Sequence, residues 1–323
     1  MDRYLLGFDI GGTKCAAILG RKTNGPMPQI IEKTVFATAE CGNPNECVAK
    51  FTMEARRLLV KHGVNEAELY ALGISCGGPL DSRKGLVLSP PNLPGWDNVP
   101  IVELLSRHFP CPVFLQNDAN AGAVAEWKYG AGVGTENMLF LTFGTGLGAG
   151  LILGGRLYTG ANDNAGECGH MRLDRIGPVG YGKAGSFEGF CSGGGIAQMA
   201  QSFAQEAILD GKNVSWYVEG EMPSAKIVAE AATLGDDTAI EVFKECGRHL
   251  GQGLSVLIDV LNPELIVIGS IFARAEHLLR DEMQKTIDAE ALPFSAQACR
   301  IVPAQLNENI GDYASLAIAD QSF

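Results

Sequence analysis

Two stretches decide the fold: LLGFDIGGTKCAAIL at residues 5–19 and LFLTFGTGLGAGLIL at residues 139–153. Each reads as an apolar strand, a glycine turn and a returning apolar strand, because glycine admits the backbone angles that so tight a turn demands. Laid over one another, they set Asp9 opposite Thr142, and Gly11-Gly12-Thr13 opposite Gly144-Thr145-Gly146. Such a repeat points to an internal duplication, one copy in each of two lobes. A chain of 323 residues is also too long for one ordinary core.

Outward from the first hairpin, residues 46–61 place Val48, Phe51, Ala55, Leu58 and Leu59 at helical spacing before Gly63. Residues 69–75 form a short apolar strand that runs into Gly77-Gly78-Pro79. Residues 99–109 read as helix and 113–115 as a buried strand, with Asn117 or Asp118 capping a helix that runs to Lys128. Past the second hairpin the pattern predicts helices over 193–210 and 238–261, a strand over 265–269 and a last helix over 311–320.

Composition narrows the function. The net charge is −12 and no Lys/Arg block occurs, so a nucleic-acid partner is excluded as the expectation. The nine cysteines are scattered, with no C-x-x-C pair, as in reduced core thiols of a cytoplasmic protein. The N-terminus lacks the basic region and cleavage site of a signal peptide. The most apolar later segment carries Asp259 and Asn262-Pro263, which argues against a membrane span.

Glycine hairpins of this kind can close backbone N–H groups around phosphate oxygens. The first hairpin offers Gly11, Gly12, Thr13 and Lys14, with Asp9 at the strand end as a carboxylate able to hold hydrated Mg²⁺. The second offers Thr142, Gly144, Thr145 and Gly146. Neither matches G-x-x-x-x-G-K-[ST] or a strand-to-helix G-x-G-x-x-G, so P-loop and dinucleotide-binding readings fit less well. A plain two-residue turn is the simpler reading of either hairpin alone; two related hairpins favour a nucleotide.

The motifs DIGGTK (9–14), ISCGGPLD (74–81), PNLPGW (91–96), QNDANAGAVAEW (116–127), LTFGTGLGAG (141–150) and AGECGH (165–170) occur in the order found in the ROK family of repressors, open reading frames and kinases. The resemblance covers nearly the whole chain, and many members resemble bacterial glucokinase. It implies the actin-like, ribonuclease-H-like α/β fold: two lobes with mixed sheets and a ligand cleft between them. Residues 1–118, joined by a returning C-terminal helix within 305–323, would form the N-terminal lobe, and 119–304 the C-terminal one. It further implies ATP with Mg²⁺, and phosphorylation of a hexose, with glucose ahead of fructose, mannose, allose or N-acetylhexosamines. Asp118 resembles the catalytic base, and Gly77, Gly78, Asn92, Asn117, Glu167, His170 and Glu188 resemble the sugar-binding set. An aspartate within reach of a hydroxyl can take its proton as the O–P bond forms, although Asp118 also suits a helix cap.

One departure from the family pattern is large. Where many members carry C-x-C-G-x-x-G-C-x-E, whose cysteines bind zinc together with the histidine of E-x-G-H, this chain reads VGYGKAGSFE (179–188). Val179, Tyr181 and Ser186 replace the cysteines, so no zinc is expected, and His170 needs another partner. A smaller departure is Gly269-Ser270 in place of Gly-Gly beside the adenosine. The rivals are a sugar-responsive repressor, a sugar sensor with a dead kinase site, and an actin- or chaperone-like ATPase. Repressors of the family carry a helix-turn-helix before the first hairpin, whereas only residues 1–3 precede it here. The expected partner is a small sugar, with no membrane; a homodimer is compatible with the sequence.

Overall fold

The computed structural model describes residues 3–320. Met1, Asp2 and residues 321–323, at the two ends of the expected N-terminal lobe, lie outside the described residues. The chain forms two compact units: one runs up to Glu136 and adds Gly150–Ala165 and everything from Gln305 onward, and the other comprises Asn137–Ala149 and Gly166–Ala304.

The first unit begins with β1 (Arg3–Ile10), β2 (Lys14–Lys22) and β3 (Gln29–Ala37), followed by α1 (Pro44–Lys61) and β4 (Leu69–Cys76). A short pair, β5 (Leu80–Asp81) and β6 (Leu86–Val87), leads to α2 (Ile101–Ser106), β7 (Val113–Asn117) and α3 (Asp118–Tyr129). The sheet order is β3-β2-β1-β4-β7, antiparallel through the first three strands and parallel across β1, β4 and β7. Ile10, Cys76 and Asn117 stand in register, so three strands end at one edge and release their loops there. Loops at the carboxyl ends of parallel strands are where open α/β sheets bind ligands. Beneath the sheet, Phe8 stacks on Phe51 of α1 at 4.5 Å, and Phe36 meets Phe51 edge-on at 5.0 Å. Pairs of this geometry add about 1 kcal/mol each beyond their buried area.

The second sheet repeats the pattern. It uses β8 (Met138–Phe143), β9 (Leu147–Ile152), β10 (Leu157–Tyr158), β13 (Leu265–Ile268) and β14 (Arg300–Pro303), in the order β10-β9-β8-β13-β14. Strand β13 runs parallel to both β8 and β14, and β10 runs antiparallel to β9. The order mirrors the first sheet strand for strand, as the sequence repeat implies. Between β10 and β13 lie the hairpin β11 (Val179–Gly180)–β12 (Lys183–Ala184) and the helices α4 (Phe187–Phe190), α5 (Gly193–Leu209), α6 (Ala225–Thr233) and α7 (Asp237–Leu261). After β13 come α8 (Ile271–Glu290) and α9 (Pro293–Ala298).

The last helix, α10 (Ile310–Ala319), lies in the first unit against β1, β4 and α3. Gly73 of β4 makes this possible, because a Cβ there would collide with the Ser315 carbonyl and the Ala319 amide. The lead-in is tied down by Glu126 of α3, wholly buried, which accepts from Leu306 N and Ala131 N at 2.8 Å each. At the far end Lys22 pairs with Asp320 at 2.6 Å. Among the described residues no helix is long and apolar enough to cross a membrane.

Strand and helix expectations hold at both hairpins, α1, β4, β7, α5, α7, β13 and α10. Helix α2 is shorter than residues 99–109, since Pro100 precedes it and Arg107 closes it. Strands β3 and β14 and helices α6 and α8 have no counterpart in the sequence reading.

Candidate active site

In the first unit the turn between β1 and β2 closes with Gly11 N donating to Lys14 O at 3.1 Å. Thr38 holds it from the side: its hydroxyl donates to Gly11 O at 2.6 Å, and its amide donates to Thr13 O at 2.9 Å. Asn92 packs on the same turn. A Cβ on Gly12 would lie 2.7 Å from Asn92 O, and one on Gly77 would lie 3.1 Å from Asn92 Nδ2. Three separate stretches, DIGGTK, GGP and PNLPGW, therefore meet at the carboxyl ends of β1 and β4, where Gly12 and Gly77 make room for Asn92 and Gly78 has open space beside it.

Asp118 opens α3 beside them. Asn117 is the N-cap, its Oδ1 accepting from Asn120 N at 2.7 Å, which places Asp118 at the first helical position. Asp118 Oδ1 accepts from Ala119 N at 2.9 Å. The side chain reaches solvent, yet burial by the surrounding protein raises its carboxyl above the usual carboxylate range, opposed by its backbone hydrogen bonds. An accessible carboxylate of raised basicity suits proton abstraction better than an ordinary surface aspartate. The Asn117 amide is engaged at both ends, since Nδ2 donates to Asp163 O at 3.4 Å; its second N–H is the part left to meet a ligand.

Asp9 is the second carboxylate at this edge. Its pKa is pushed up to about 6, first by burial, then by the negative charge of Asp118 and of Asp312, with Lys14 and Lys33 opposing. Asp312 sits in the first turn of α10 and pairs with Lys33 Nζ at 2.6 Å. Gly311 lets that turn approach, because a Cβ there would stand 2.8 Å from Asp9 Oδ2. Neither Gly311 nor Asp312 was marked from sequence. They are some 300 positions from Asp9, and no local pattern signals the contact.

In the second unit the turn between β8 and β9 closes one residue tighter, with Gly144 N donating to Gly146 O at 3.1 Å. The Thr142 hydroxyl braces it, donating to Gly148 O at 3.2 Å and accepting from Gly148 N at 3.0 Å. Thr145 at the tip is exposed. Helix α5 begins against this turn: Gly193 N donates to Gly144 O at 2.8 Å, and Ser192 caps the helix through Gly195 N at 3.0 Å. The run Ser192-Gly193-Gly194-Gly195 went unmarked in the sequence reading, although a serine before three glycines is a legible signal for a helix N-terminus open to an anion. Ser270 completes the corner at the end of β13, its Oγ 3.5 Å from where a Gly144 Cβ would stand. Its backbone, at φ 51° and ψ −110°, is one that glycine adopts easily and serine does not.

Glu188, on α4, reaches the same hairpin. Its Oε2 accepts from Leu147 N at 3.0 Å and would lie 2.7 Å from a Cβ on Gly146. Glu167 precedes the short turn Cys168–His170 and is exposed, as is His170. Gly169, between them, packs against Glu188 Cβ, so E-x-G-H and Glu188 form one assembly. His170 finds its partner in Tyr181, whose ring meets it edge-on with centroids 5.5 Å apart. Tyr181 and Gly182 form the turn between β11 and β12 with φ of 44° and 75°, the left-handed pair of a tight hairpin. Ser186 caps α4, accepting from Gly189 N at 3.0 Å.

Two glycine hairpins, each opening a mixed sheet of the same strand order, define the actin-like, ribonuclease-H-like class. The ROK family sequence model matches residues 5–322, and the chain belongs to the ROK family. It is 31% identical over 314 residues to the glucokinase of Halalkalibacterium halodurans, covering 96% of this chain and 93% of that one. It is 28% identical over 295 residues to the xylose repressor of Caldicellulosiruptor bescii, covering 91% of this chain and 71% of the repressor. Among solved structures, the ROK family glucokinase from Streptomyces griseus in complex with glucose and AMPPNP superposes with a TM-score of 0.77 at 28% identity, covering 99% of this chain and 100% of that one.

Proposed function

We propose that the protein is an ATP-dependent hexose kinase, with glucose the favoured acceptor. The observation that carries this reading is the position of Asp118: an accessible carboxylate of raised basicity at the first turn of α3, on the strand-end edge that also holds Asp9 and the Gly11–Gly12 turn. The Halalkalibacterium glucokinase and the glucose- and AMPPNP-bound Streptomyces enzyme support the substrate class.

In this reading Asp118 takes the proton of the attacking hydroxyl while that oxygen bonds to the γ-phosphorus and the bond to the β–γ bridging oxygen breaks. The N-terminus of α3 keeps the carboxylate ionised between turnovers. Asn92 and Asn117, with Glu167, His170 and Glu188, hold sugar hydroxyls; a polar set of this kind rejects analogues that leave one of its groups unpaired. The two glycine turns and the α5 N-terminus direct N–H groups at phosphate oxygens. Magnesium fits the residues present: Asp9 is a carboxylate whose proton affinity is raised by neighbouring negative charge, which a cation would relieve. When bound it would neutralise charge on the triphosphate, and Asp9 would hold it through water, as Mg²⁺ keeps several of its waters.

The test is Asp118→Asn assayed for hexose-dependent ADP release over a sugar panel, alongside calorimetric sugar binding. The expected result is retained binding with turnover reduced about 10³-fold or more. Wild-type turnover in the variant refutes the base assignment, and sugar binding with no turnover in the wild type refutes the kinase reading in favour of a sensor.

A further inference from the structure

A cavity of about 370 Å³ opens in the first unit on the side of β7 away from β4. Its size is within the range of small-molecule sites, roughly 300–1,000 Å³. Its walls come from five places in the chain, one of them Ile318 of α10. The turn between β5 and β6 contributes Arg83 and Lys84, β7 contributes Phe114 and Gln116, α2 contributes Val102, and β10 contributes Leu157. None of these residues belongs to the hexose- or nucleotide-facing sets above.

The chemistry of the walls is specific. Arg83 and Lys84 are both exposed. Arg83 makes a long bond, Nη2 to Gly160 O at 3.5 Å. Lys84 pairs with Asp81 at 3.0 Å, so the turn keeps one net positive charge from its two cations. A guanidinium beside an ammonium suits a phosphate dianion, the first through its paired donors and the second as a point charge. Val102, Phe114 and Leu157 supply an apolar wall that a bare anion does not need and a small organic body would fill.

Two hydrogen-bond routes join this cavity to the segment that carries Asp118. Ser82, also in the wall, donates from its amide to Asp163 Oδ2 at 2.7 Å and from its hydroxyl to Asp163 Oδ1 at 3.0 Å. Asp163 is buried, and its carbonyl accepts from Asn117 Nδ2. By the second route Gln116, itself in the wall and buried, accepts at Oε1 from Asn117 N at 2.8 Å and from Asn120 Nδ2 at 3.1 Å. A ligand that moved the turn or the Gln116 amide would thus act on the N-cap of α3.

We propose that this cavity is a second binding site, for a phosphate dianion borne on a small organic body or free, and that its occupancy is felt at Asn117. Hydrogen exchange of the whole protein is the direct test, with glycerol 3-phosphate, inorganic phosphate and glycerol as separate probes. Glycerol 3-phosphate is chosen because it is not a hexose phosphate and so does not report on the sugar site. Slowed exchange across residues 82–87 and 113–117 with the ester, and not with glycerol, is the expected result. Equal protection by inorganic phosphate assigns the site to the free anion, and protection by the ester alone assigns it to a monoester. Arg83→Ala/Lys84→Ala, both on an exposed turn, is expected to weaken binding of the anion at least tenfold by calorimetry. Leu157→Trp, which fills the cavity and leaves its charges in place, is expected to weaken the ester and spare free phosphate. No protection at these two segments, or unchanged affinity in the double variant, overturns the site. A change in hexose phosphorylation on adding the ester, absent in the double variant, tests the coupling to Asn117. That last readout rests on the kinase reading, whereas the exchange measurement does not.

Discussion

Asp9→Asn should make the protein more stable and less active, and the size and pH dependence of the gain follow from its surroundings. The Asp9 carboxyl is pushed up from 3.8 to about 6 by burial and by Asp118 and Asp312, against the pull of Lys14 and Lys33. The folded chain therefore holds this proton more tightly than the unfolded chain. Stability falls as pH rises through that interval, and the full penalty stands above it. The penalty is about 3 kcal/mol at pH 7 and roughly half of that at pH 5. These are upper figures, because the half-buried side chain keeps contact with water. Asparagine has the same shape and no charge, so it should recover most of the penalty. Urea unfolding of wild type and variant in metal-free buffer at pH 7 and pH 5, followed by a probe in the first unit, measures the gain. A variant no more stable than wild type at pH 7 refutes the reasoning, as does a gain equal at both pH values. Hexose phosphorylation by the same variant should fall at least a hundredfold, since the carboxylate proposed to hold hydrated magnesium is gone.

Glu126→Ala leaves the buried Leu306 amide and the half-buried Ala131 amide without their acceptor and should cost about 2–3 kcal/mol in thermal or urea unfolding; a loss below about 1 kcal/mol contradicts the anchoring role given to this side chain. Ser270→Gly removes a backbone conformation that serine adopts at a cost of about 1–2 kcal/mol and should raise the unfolding midpoint. A lowered midpoint would mean that the Ser270 hydroxyl contributes more than its backbone loses.

The parts of the candidate site that were legible in the sequence are those whose pattern is local. Each glycine turn, the GGP turn and the QNDAN segment declare themselves within a few residues, and parallel strand register then gathers the first-unit members at one edge. What was not legible depends on contacts between distant positions. Asn117 and Asp118 are equally good caps by residue type, and only the Asn117–Asn120 bond decides between them. The α10 contribution to Asp9 is invisible without the fold. Strand β3 escaped because it is mostly exposed or half-buried, with Phe36 its one buried residue, so its apolar alternation is faint. Helix α8 escaped because no side chain caps its start and Ala275 breaks its regularity. Glu188 and Thr142 were each given one role from sequence, whereas both also brace the β8–β9 turn. That double engagement cannot be read from motif order.

The seating of α10 on Gly73 has a consequence for how the protein is made. Strands β1 and β4 leave the ribosome long before residues 310–319 are synthesised, and no side chain at Gly7 or Gly73 shields the backbone on the face that α10 will cover. Through most of synthesis that face waits for its cover while the whole second unit emerges and folds. The first unit is thus begun before the second is translated and closed only after it, by a single helix.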